Sequence, residues 1–598
     1  MPRKMNAEDE TKAFSENLKR LTIISKSRKE NLMKKYLWIL AVIATVVCMT
    51  AFVGCGALTQ NAKLSTNTTT NNVSADPIIE DAAIDETFND VVEAVGDFSI
   101  TTSDGEYSES NGIYTLSKAG TYTLEGSLNG QILVDAGEDD EIVLELNGVT
   151  ITYGTDSPIK VLNADKVEIS AKKNTENVIK DTRKEKTVDD DSQGQGAIYA
   201  KCDLKFKGNG ILVLEANYNN GIHTSKDLTL KNLSLKVTAV NNALKGNDSV
   251  TIESGTIVAI STKGDGVKTE DTDLSSKGNQ RGTVTIEDGS LAVYAAGDGI
   301  QASYDFVMNG GSISIYTGSY SSYTASGAST TSYKGVKVGN ELTVNAGTIN
   351  VYSYDDGLHA DYGATLENGN KGQGNINING GEIKISVYSP TKTTPGGRMG
   401  PGGWSGQQTV TGSDAIHADN TLTISGGTIN VDSAYEGLEA SFIVINGGTT
   451  NIFATDDGIN ACKKITNSPS ILVSDGYLFV AVPTNGDTDG IDSNGTYKQT
   501  GGVVIACGPG SAAGRMGGGA CVLDADKGVT LQGGTLILFG GMENTPSTSG
   551  MTKTICSSST VSTGTHTITV GEESYSVTLK YSAGGCVVYS ASGQASLK

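Results

Sequence analysis

The chain has 598 residues, including 75 Gly and 10 Pro, and it contains no Gly-X-Y period, so a collagen-like protein is excluded. Hydrophobic residues make up only 37% and charged residues 19%, and the abundant Asn, Ser, Thr and Gly favour strands and turns over a helical bundle. The formal net charge of −22 repels phosphate backbones, so we expect no nucleic acid among the partners and an affinity for divalent cations instead.

The first 54 residues are similar to a bacterial export signal. A pair of lysines precedes the uncharged run 36–54, and Phe52-Val-Gly-Cys55 resembles a lipobox. We therefore predict that residues 1–54 are a cytoplasmic stub or an over-read start followed by a lipoprotein signal, and that Cys55 is lipidated. Because Phe stands where Leu is usual, a signal anchor retained as a membrane helix is the alternative. Both interpretations place the rest of the chain outside the cell.

A polar segment, residues 55–96, follows the export signal. It is rich in Thr, Asn, Ala and Asp and poor in apolar side chains, as flexible tethers are. We expect it to join a lipid anchor at the extracellular face of the cell membrane to a folded domain. Six cysteines are sparse for a domain of this length, so we interpret them as buried small residues or as one or two optional disulfide bridges. They are Cys202, Cys462, Cys507, Cys521, Cys556 and Cys586.

A short sequence motif, the corner phrase, recurs throughout the chain after about residue 97. It consists of an acidic or polar residue, then a small residue, then an aliphatic residue, and the small residue indicates a tight corner. Successive small residues are most often 21–23 positions apart, and longer intervals, up to 58, are explained by inserted loops. The ten corners begin at Asn220, Asn242, Asp265, Asp298, Lys334, Asp356, Asp414, Glu436, Asp457 and Asp489.

Alternating apolar and polar residues separate the corners, as in Leu422-Thr-Ile-Ser-Gly-Gly-Thr-Ile-Asn-Val. This alternation predicts short strands with one buried face. Such strands bury a core only when they are stacked, so we predict an all-β, right-handed parallel β-helix over 97–545, with about twelve coils of about 22 residues. The Leu-x-x-Leu-x-Leu frame of a leucine-rich repeat is missing, and a propeller has about twice this period. Residues 98–150 are expected to cap one end, and residues 546–598 to form a C-terminal β cap.

The acidic corner residues predict a metal site. Equivalent positions of successive coils lie about 4.8 Å apart, and two carboxylates at that distance repel by about 3 kcal/mol at an effective dielectric constant near 20, so a column of them favours a cation. Ca²⁺ prefers such oxygen ligands. The alternative is that Asp-Gly is ordinary turn chemistry with solvated carboxylates. The candidate calcium ligands are Asp265, Glu270, Asp271, Asp273, Asp298, Asp355, Asp356, Asp361, Asp414, Asp419, Glu436, Asp456, Asp457, Asp489 and Asp492.

The residue after each corner aliphatic is polar in every coil and forms a second column. Beside Ca²⁺, a lysine in this column would neutralise a sugar carboxylate, or would remove the proton next to it if the lysine pKa were lowered. The alternative is a solvated turn residue. The histidines of the column show no tight metal-binding spacing, which argues against a zinc site. The candidate carbohydrate-binding members are Lys245, Lys268, Lys337, His359 and His417.

A third column is aromatic. Its members occupy equivalent strand positions, and alternation with aliphatic neighbours points them outward, where rings stack on sugar faces. The alternative, to which we give equal weight, is that neighbouring rings cover each other and stabilise the sheet. The predicted surface consists of Tyr294, Tyr316, Tyr352 and Phe453, extended by Tyr354 and Trp404.

These motifs resemble those of clostridial surface proteins whose carbohydrate-binding β-helix binds cellulose and acidic sugars such as polygalacturonate. The resemblance covers residues 97–545 and rests on Gln131-Ile-Leu-Val-Asp135, on Gly148-Val-Thr-Ile, and on the corners followed by His-Ala-Asp at 359–361 and 417–419. It implies calcium sites and a fold similar to that of polysaccharide lyases.

Three functional hypotheses follow. The first is a monomeric, non-catalytic lipoprotein that carries Ca²⁺ and binds plant-type polysaccharide at the cell surface. The second is a calcium-dependent, pectate-type lyase in which Lys245, Lys268 or Lys337 is the base, which predicts new unsaturated uronide ends. The third is a structural adhesin, which predicts partner binding that soluble oligosaccharide does not compete away.

Overall fold

The structure is a computed structural model that describes residues 87–88, 91–188, 192–318, 332–367, 369, 371–387, 412–484, 488–510 and 520–598. The chain divides into two units, Met1–Thr68 and Thr69–Lys598, and every described residue belongs to the second. The predicted lipidation site Cys55, the export signal 1–54 and Trp404 lie outside the described residues. The described part contains no α-helix, and so no helix that is long and apolar enough to cross a membrane.

The fold is all-β, and most of its strands pair in parallel. The chain begins with antiparallel pairs, β1 with β4 and β2 with β3, and then continues with parallel pairs, starting with β3 and β5. These first nine strands are β1 (Ser99–Thr101), β2 (Tyr107–Ser110), β3 (Ile113–Leu116), β4 (Gly120–Asn129), β5 (Gln131–Asp135), β6 (Glu141–Tyr153), β7 (Ile159–Asn163), β8 (Lys166–Ala171) and β9 (Glu176–Asp181).

The repeating part of the chain follows. Its strands are β10 (Gly196–Ala200), β11 (Asp203–Gly208), β12 (Ile211–Ala216), β13 (Asn220–Thr224), β14 (Asp227–Leu230), β15 (Ser234–Ala239), β16 (Leu244–Gly246), β17 (Ser249–Ile252), β18 (Thr256–Ser261), β19 (Val267–Lys268), β20 (Thr283–Ile286), β21 (Ser290–Ala295), β22 (Ile300–Ala302), β23 (Phe306–Met308), β24 (Ser312–Thr317), β25 (Val336–Val338), β26 (Glu341–Val344), β27 (Thr348–Ser353), β28 (Leu358–Ala360), β29 (Tyr362–Thr365), β30 (Lys371–Gln373), β31 (Asn375–Ile378), β32 (Glu382–Val387), β33 (Ile416–Ile424), β34 (Thr428–Ser433), β35 (Leu438–Phe453), β36 (Ile459–Ala461), β37 (Ser470–Ala481), β38 (Ile491–Ser493), β39 (Thr496–Gln499), β40 (Val503–Cys507), β41 (Val529–Leu531) and β42 (Thr535–Phe539).

Apart from β29 and β30, which form a separate antiparallel pair, these strands pair in parallel with strands at the same place in neighbouring repeats, as β13 does with β16 and β15 with β18. Ile222 pairs with Leu244, and Leu244 pairs with Val267. Paired residues in neighbouring strands are therefore about one predicted repeat apart in sequence. The predicted parallel pairing and repeat length are therefore confirmed. We call the strands that directly follow the corners the corner series; they are β13, β16, β19, β22, β25, β28, β36 and β38, together with the first residues of β33 and β35.

Inward-facing aliphatic side chains from successive strands form one continuous core. In β33, Leu422 and Ile424 are fully buried, whereas Thr423 between them is partly exposed. Burying one such aliphatic side chain contributes about 1.5–3 kcal/mol to the free energy of folding. The alternation therefore fixes which face of each strand turns inward, and the polar columns are left on the outside.

The small corner residues are required by close approach between coils. A Cβ added to Gly299 would lie 2.3 Å from Cγ2 of Ile315 and 2.6 Å from the carbonyl oxygen of Gly335. The φ angle of Gly299 is not positive, so the small residue is required there by the neighbouring coils and not by a left-handed backbone conformation. Two corners carry Ala243 and Ala415 instead, which shows that the corner backbone accepts an L side chain of one carbon.

The C-terminal strands pair with the last strands of the repeating part and pack against their outward-facing side chains. They are β43 (Ser547–Thr548), β44 (Thr552–Ser557), β45 (Gly564–Val570), β46 (Glu573–Leu579), β47 (Cys586–Ser590) and β48 (Ala595–Leu597). β47 pairs antiparallel with β42 and β44, and β45, β46 and β48 form a small antiparallel sheet. Ile568 and Val577 of that sheet pack in one cluster with Phe479 and Ile537 of the repeating part.

Two further features are a contact made by Phe88 and the burial of the cysteines. Phe88, near the end of the predicted tether, is 6% exposed because it packs against Val258 and Ala292 on the outer face of β18 and β21. The tether prediction did not include this contact. Cys202, Cys507, Cys521 and Cys586 are buried, which agrees with the interpretation of the cysteines as small core residues.

Candidate functional site

The corner carboxylates are buried and bound to the backbone. Asp265, Asp298, Asp356 and Asp414 are at most 9% exposed. One oxygen each of Asp265, Asp298 and Asp356 accepts a hydrogen bond from the backbone N–H of the next corner residue, at 2.9 Å from Asp298 to Asp265 and at 2.8 Å from Asp414 to Asp356. The same bond recurs farther along the chain. For these residues the interpretation as solvated turn carboxylates is wrong.

The second column is continuous along the corner series. Two of its members, His359 and His417, face each other, and their rings stack at a centroid distance of 4.6 Å with an interplanar angle of 16°. These histidines are 58 residues apart in sequence, and the repeat, not local spacing, predicts that they are neighbours in the column. In register order the column is His223, Lys245, Lys268, Gln301, Lys337, His359, His417, Glu439, Asn460 and Asp492.

Each of the two stacked histidines lies between two carboxylates of its own motif. His359 places Nδ1 2.8 Å from Asp356 and Nε2 2.8 Å from Asp361. His417 repeats the arrangement with Asp414 at 2.7 Å and Asp419 at 3.2 Å. Glu439 adds a third carboxylate at 2.9 Å from Nδ1 of His417. We call these residues the histidine–carboxylate cluster: Asp356, His359, Asp361, Asp414, His417, Asp419 and Glu439.

Lysines compensate the negative charge of this cluster. The Lys334 ammonium lies 2.9 Å from both Asp355 and Asp356, and the Lys464 ammonium lies 3.1 Å from Asp419 and contacts Nε2 of His417. These contacts place a cation at each end of the cluster. The sequence analysis had assigned no role to Lys464.

His417 adds further positive charge to the cluster. Burial lowers the pKa of His417, but its hydrogen bonds to Asp414, Asp419 and Glu439 outweigh burial and raise the pKa well above the usual range. Imidazolium and ammonium groups therefore occupy the positions around these carboxylates, and the cluster is a poor fit for Ca²⁺.

A second acidic cluster contains carboxylates alone. Asp489, Asp492 and Asp524 each offer one oxygen within 4.8 Å of the others, and we call them the three-aspartate cluster. Oδ1 of Asp524 is buried and has no hydrogen-bond partner. Burial and Asp489 raise the pKa of Asp492 to about 7, while burial and Glu543 raise that of Asp524 to about 8. This arrangement favours a cation.

Asp524 was missed in the sequence, although a signal was present. Leu523 bridges Ile491, so Cys521-Val-Leu-Asp524 is the coil equivalent of Asp489-Gly-Ile-Asp492. At this corner, Cys521 replaces the acidic first residue and Val522 replaces the small second residue, and these two residues define the corner phrase.

The acids of the loop 270–273 already have partners. The Glu270 carboxylate lies 2.5 Å from the ammonium of Lys245, and Asp273 lies 2.8 Å from the Arg281 guanidinium. Asp271 lies against Asp248, whose pKa is raised to about 6 by burial and by that contact. The loop is therefore a group of ion pairs, and its acids are not gathered around one position.

The remaining predicted acids near the corners are also buried or engaged. Glu436 accepts a hydrogen bond of 3.1 Å from Asn460, and burial together with Asp414 raises its pKa well above the usual range. Burial and Asp456 raise the pKa of Asp457 in the same way. These groups extend the line of carboxyl side chains along the corner series toward the three-aspartate cluster.

The three candidate lysines of the second column are all paired. Lys245 bonds Glu270, Lys268 lies 2.8 Å from Asp265, and Lys337 lies 3.7 Å from Asp361. A carboxylate partner stabilises the ammonium form, whereas a general base must be unprotonated. The geometry thus suits binding through hydrogen bonds and charge better than proton removal.

The predicted aromatic surface divides into two groups. Tyr294, Tyr316 and Tyr352 stack face to face at 5.1 Å and 5.2 Å, with interplanar angles of 8° and 4°, so their inner ring faces cover each other. Tyr352 ends the stack and is 42% exposed. Phe453 instead packs against Phe479 at 5.7 Å, beside the C-terminal strands. Tyr354 is only 8% exposed, so it does not extend an outer surface.

The comparisons with known proteins agree with this picture. A family model described as "Carbohydrate-binding domain-containing protein" matches residues 110–386 and 366–458, which include the second column from His223 to Glu439. The chain belongs to this family. The suspected resemblance is therefore confirmed at the family level. The three-aspartate cluster lies beyond the matched residues.

Two relatives show how far the similarity extends. A carbohydrate-binding domain-containing protein of Acetivibrio thermocellus is 34% identical over 202 residues, which cover 33% of this chain and 65% of the relative. The solved structure of a polysaccharide lyase-like protein from C. thermocellum, a gadolinium derivative, is 35% identical and covers 40% of this chain and 89% of its own, with a TM-score of 0.35. The chain thus spans about two-thirds of the length of its curated relative.

Proposed function

We propose that this protein binds polysaccharide along the outer face of the corner series and does not cleave it. The observation that carries the proposal is the unbroken second column, in which ten successive coils present a polar side chain at the same register position. Its members lie about 4.8 Å apart. A linear polymer of hydroxylated units fits a linear array of hydrogen-bonding groups, and membership of a carbohydrate-binding family supports the same function.

The proposal includes a right-handed parallel β-helix. Parallel pairing of every third strand and a register advance of about 22 residues support this architecture, because a stacked coil is the simplest path that returns the chain to the same place after one repeat. In this arrangement the second column forms a straight line on one outer face.

We further propose that the three-aspartate cluster binds Ca²⁺. Its donors are all carboxylate oxygens, which Ca²⁺ prefers, and the unpartnered buried oxygen of Asp524 lacks only a cation. A bound Ca²⁺ would neutralise Asp489, Asp492 and Asp524 and would attract sugar carboxylates to this end of the column. The histidine–carboxylate cluster fits such an ion poorly because its own cations already occupy it.

The proposed location is the extracellular face of the cell membrane. The support is the lipobox-like sequence ending at Cys55, with residues 55–96 as the tether, and a monomer is the simplest form of such a lipoprotein. Cellulose and acidic plant polysaccharides are the proposed ligands.

The test is depletion of the purified protein by polygalacturonate and by cellulose, each with Ca²⁺ or EDTA, with polymer ends assayed in parallel. The proposal predicts depletion by at least one polymer and no new unsaturated ends. New unsaturated ends that disappear in Lys245→Met, Lys268→Met or Lys337→Met would establish the lyase instead. Absence of depletion by both polymers would contradict carbohydrate binding and favour an adhesin.

A further inference from the structure

Three cysteines of the described part lie together beside the C-terminal strands. Cys507 at the end of β40, Cys556 in β44 and Cys586 at the start of β47 belong to, or pack against, the apolar cluster that joins these strands to the repeating part. Cys507 and Cys586 are buried, and Cys556 is partly buried. The positions of their strands in the sheet decide which of these thiols can be joined.

An irregular pairing brings Cys556 next to Cys586. β44 and β47 run antiparallel, and Ile555 pairs with Val587. The next pair is Ser557 with Cys586, so two steps along β44 correspond to one step along β47. This is a β-bulge, in which two residues of one strand oppose a single residue of the other. Cys556 therefore opposes Cys586 as well, and a side-chain hydrogen bond joins the two thiols.

The third thiol, that of Cys507, is too far away to be the partner of Cys586. In the sheet β42 lies between β40 and β47, and Cys507 pairs with Phe539 of β42. Two strand spacings, about 9.6 Å, therefore separate Cys507 from Cys586. A disulfide requires Cα atoms within about 7 Å of each other. Opposed residues of an antiparallel pair lie about 4.5–5.5 Å apart, so Cys556 and Cys586 meet this requirement.

The two neighbouring thiols are protected once the cluster has formed. Burial raises the pKa of Cys586 to about 12 and also raises the pKa of Cys556. Only a thiolate attacks another sulfur atom, so these groups react slowly in the folded protein. A bond between them is therefore expected to form while the chain folds, and burial then shields it from external thiols.

We infer that Cys556 and Cys586 form a disulfide bond that ties β44 to β47 when the chain folds in an oxidising compartment. Each thiol loses its hydrogen, one S–S bond forms, and two electrons and two protons pass to a disulfide oxidant, which is reduced to two thiols. The proposed location outside the cell provides such a compartment. The inference goes beyond the proposed function, because it concerns the C-terminal strands and not the binding of polysaccharide.

The bond has a structural consequence for the C-terminal strands. It closes a loop, residues 556–586, that contains β45 and β46. A closed loop has less conformational freedom when these strands detach, so the bond disfavours the detached state. The small antiparallel sheet is thereby held against the repeating part, where Ile568 and Val577 pack.

The first test identifies the bond. The full protein, reduced and unfolded, is refolded in a mixture of oxidised and reduced glutathione, which serves as the disulfide oxidant. Free thiols are then blocked with N-ethylmaleimide in denaturant, and linked peptides are identified by mass spectrometry. We expect Cys556 to be linked to Cys586, and Cys507 to be recovered as a blocked thiol. Recovery of Cys556 and Cys586 as blocked thiols, or linkage of either one to Cys507, would overturn the inference.

The second test measures what the bond does. Amide hydrogen exchange is compared between protein refolded with glutathione and protein refolded with a phosphine reductant. Exchange in β45 and β46 should be at least about tenfold faster in the reduced protein, while exchange in β13 should change by less than about threefold. Equal exchange of β45 and β46 in the two preparations would overturn the structural role of the bond.

Two variants separate the bond from the packing of a buried thiol. Cys586→Ala removes the bond, so the two refolding conditions should give the same exchange in β45 and β46. Cys507→Ala is the matched control, because it removes a buried thiol of the same cluster and leaves the bond intact. The difference between the two conditions should therefore persist in Cys507→Ala. Its loss in both variants, or its persistence in Cys586→Ala, would contradict the assignment of the bond to Cys556 and Cys586.

Discussion

Removal of Ca²⁺ is expected to destabilise the protein through the three-aspartate cluster. Carboxylate oxygens within 4.8 Å of one another repel by about 3 kcal/mol per pair at an effective dielectric constant near 20. A cation bound among them removes this repulsion in the folded state. At a free Ca²⁺ concentration 100 times the Kd, the expected stabilisation is about 2.7 kcal/mol.

Thermal unfolding followed by circular dichroism, with Ca²⁺ or with EDTA, measures this effect. Asp524→Asn keeps the shape of the side chain but removes one of the three carboxylate ligands, and we expect it to weaken Ca²⁺ binding at least tenfold, about 1.4 kcal/mol. Asp475→Asn is the matched control, because Asp475 is exposed and its oxygen accepts a bond from the backbone of Gly476 that Asn preserves. An unfolding temperature that is the same with Ca²⁺ and with EDTA would refute the reasoning, as would equal responses of the two variants.

Three further predictions concern the fold. Burial raises the pKa of Asp305 to about 6, so this residue makes the fold lose stability as pH rises from about 4 to 7. Asp305→Asn should abolish this loss and raise the free energy of unfolding by about 3 kcal/mol at pH 7.5. Urea unfolding at about pH 4 and at about pH 7.5 measures this effect, and an unchanged pH dependence in the variant would contradict it. Tyr316→Ala should lower stability by about 1–3 kcal/mol because it removes two stacked ring contacts. Tyr316→Phe keeps both ring contacts and should cost less, and equal unfolding midpoints for the two variants would exclude the stack as a source of stability. Gly299→Val should cost at least about 1–3 kcal/mol through overlap with Ile315 and the carbonyl of Gly335, and a melting temperature equal to that of the unaltered protein would show that the coils can move apart.

The periodic features of the fold could be predicted from the sequence because each follows from a local rule. Alternation within stretches such as Ile376–Ile378 determines the buried face, and the corner phrase marks the place where each coil begins again. The position after the corner aliphatic then defines a column, and the observed register from His223 to Asp492 follows it residue by residue. Length and handedness of the complete coil do not follow from alternation, which is why they rest on the proposed architecture.

The electrostatic state of the columns could not be predicted in the same way. Lys464, which neutralises Asp419, comes from outside the three columns, at the start of an inserted loop. Asp524 occupies the next coil position after Asp492, but its corner has lost the small residue that defines the phrase. A repeat predicts which residues lie in line, whereas partners supplied by loops and irregular corners decide which carboxylates are compensated.

A polar cavity of about 570 Å³, lined by Lys186, His223 and Lys245 among others, illustrates the same limit. Its amide side chains, including Asn219 and Asn241, belong to the coils, but its opposite wall depends on the anchoring of Arg183 against Tyr218. That anchor is a contact between segments 35 residues apart, with no repeated motif to reveal it. The presence of a cavity at this end of the column therefore depends on contacts between distant segments, which the repeat does not predict.

Hydrogen exchange measured by mass spectrometry, with and without a polymer-derived oligosaccharide that the protein binds, tests the central claim most directly. Binding along the outer face of the corner series predicts slower exchange of backbone amides in strands such as β13, β25 and β28, with the strands of the opposite faces unchanged. Protection confined to the C-terminal strands β45, β46 and β48, or bound oligosaccharide with no protection in the corner series, would contradict the claim.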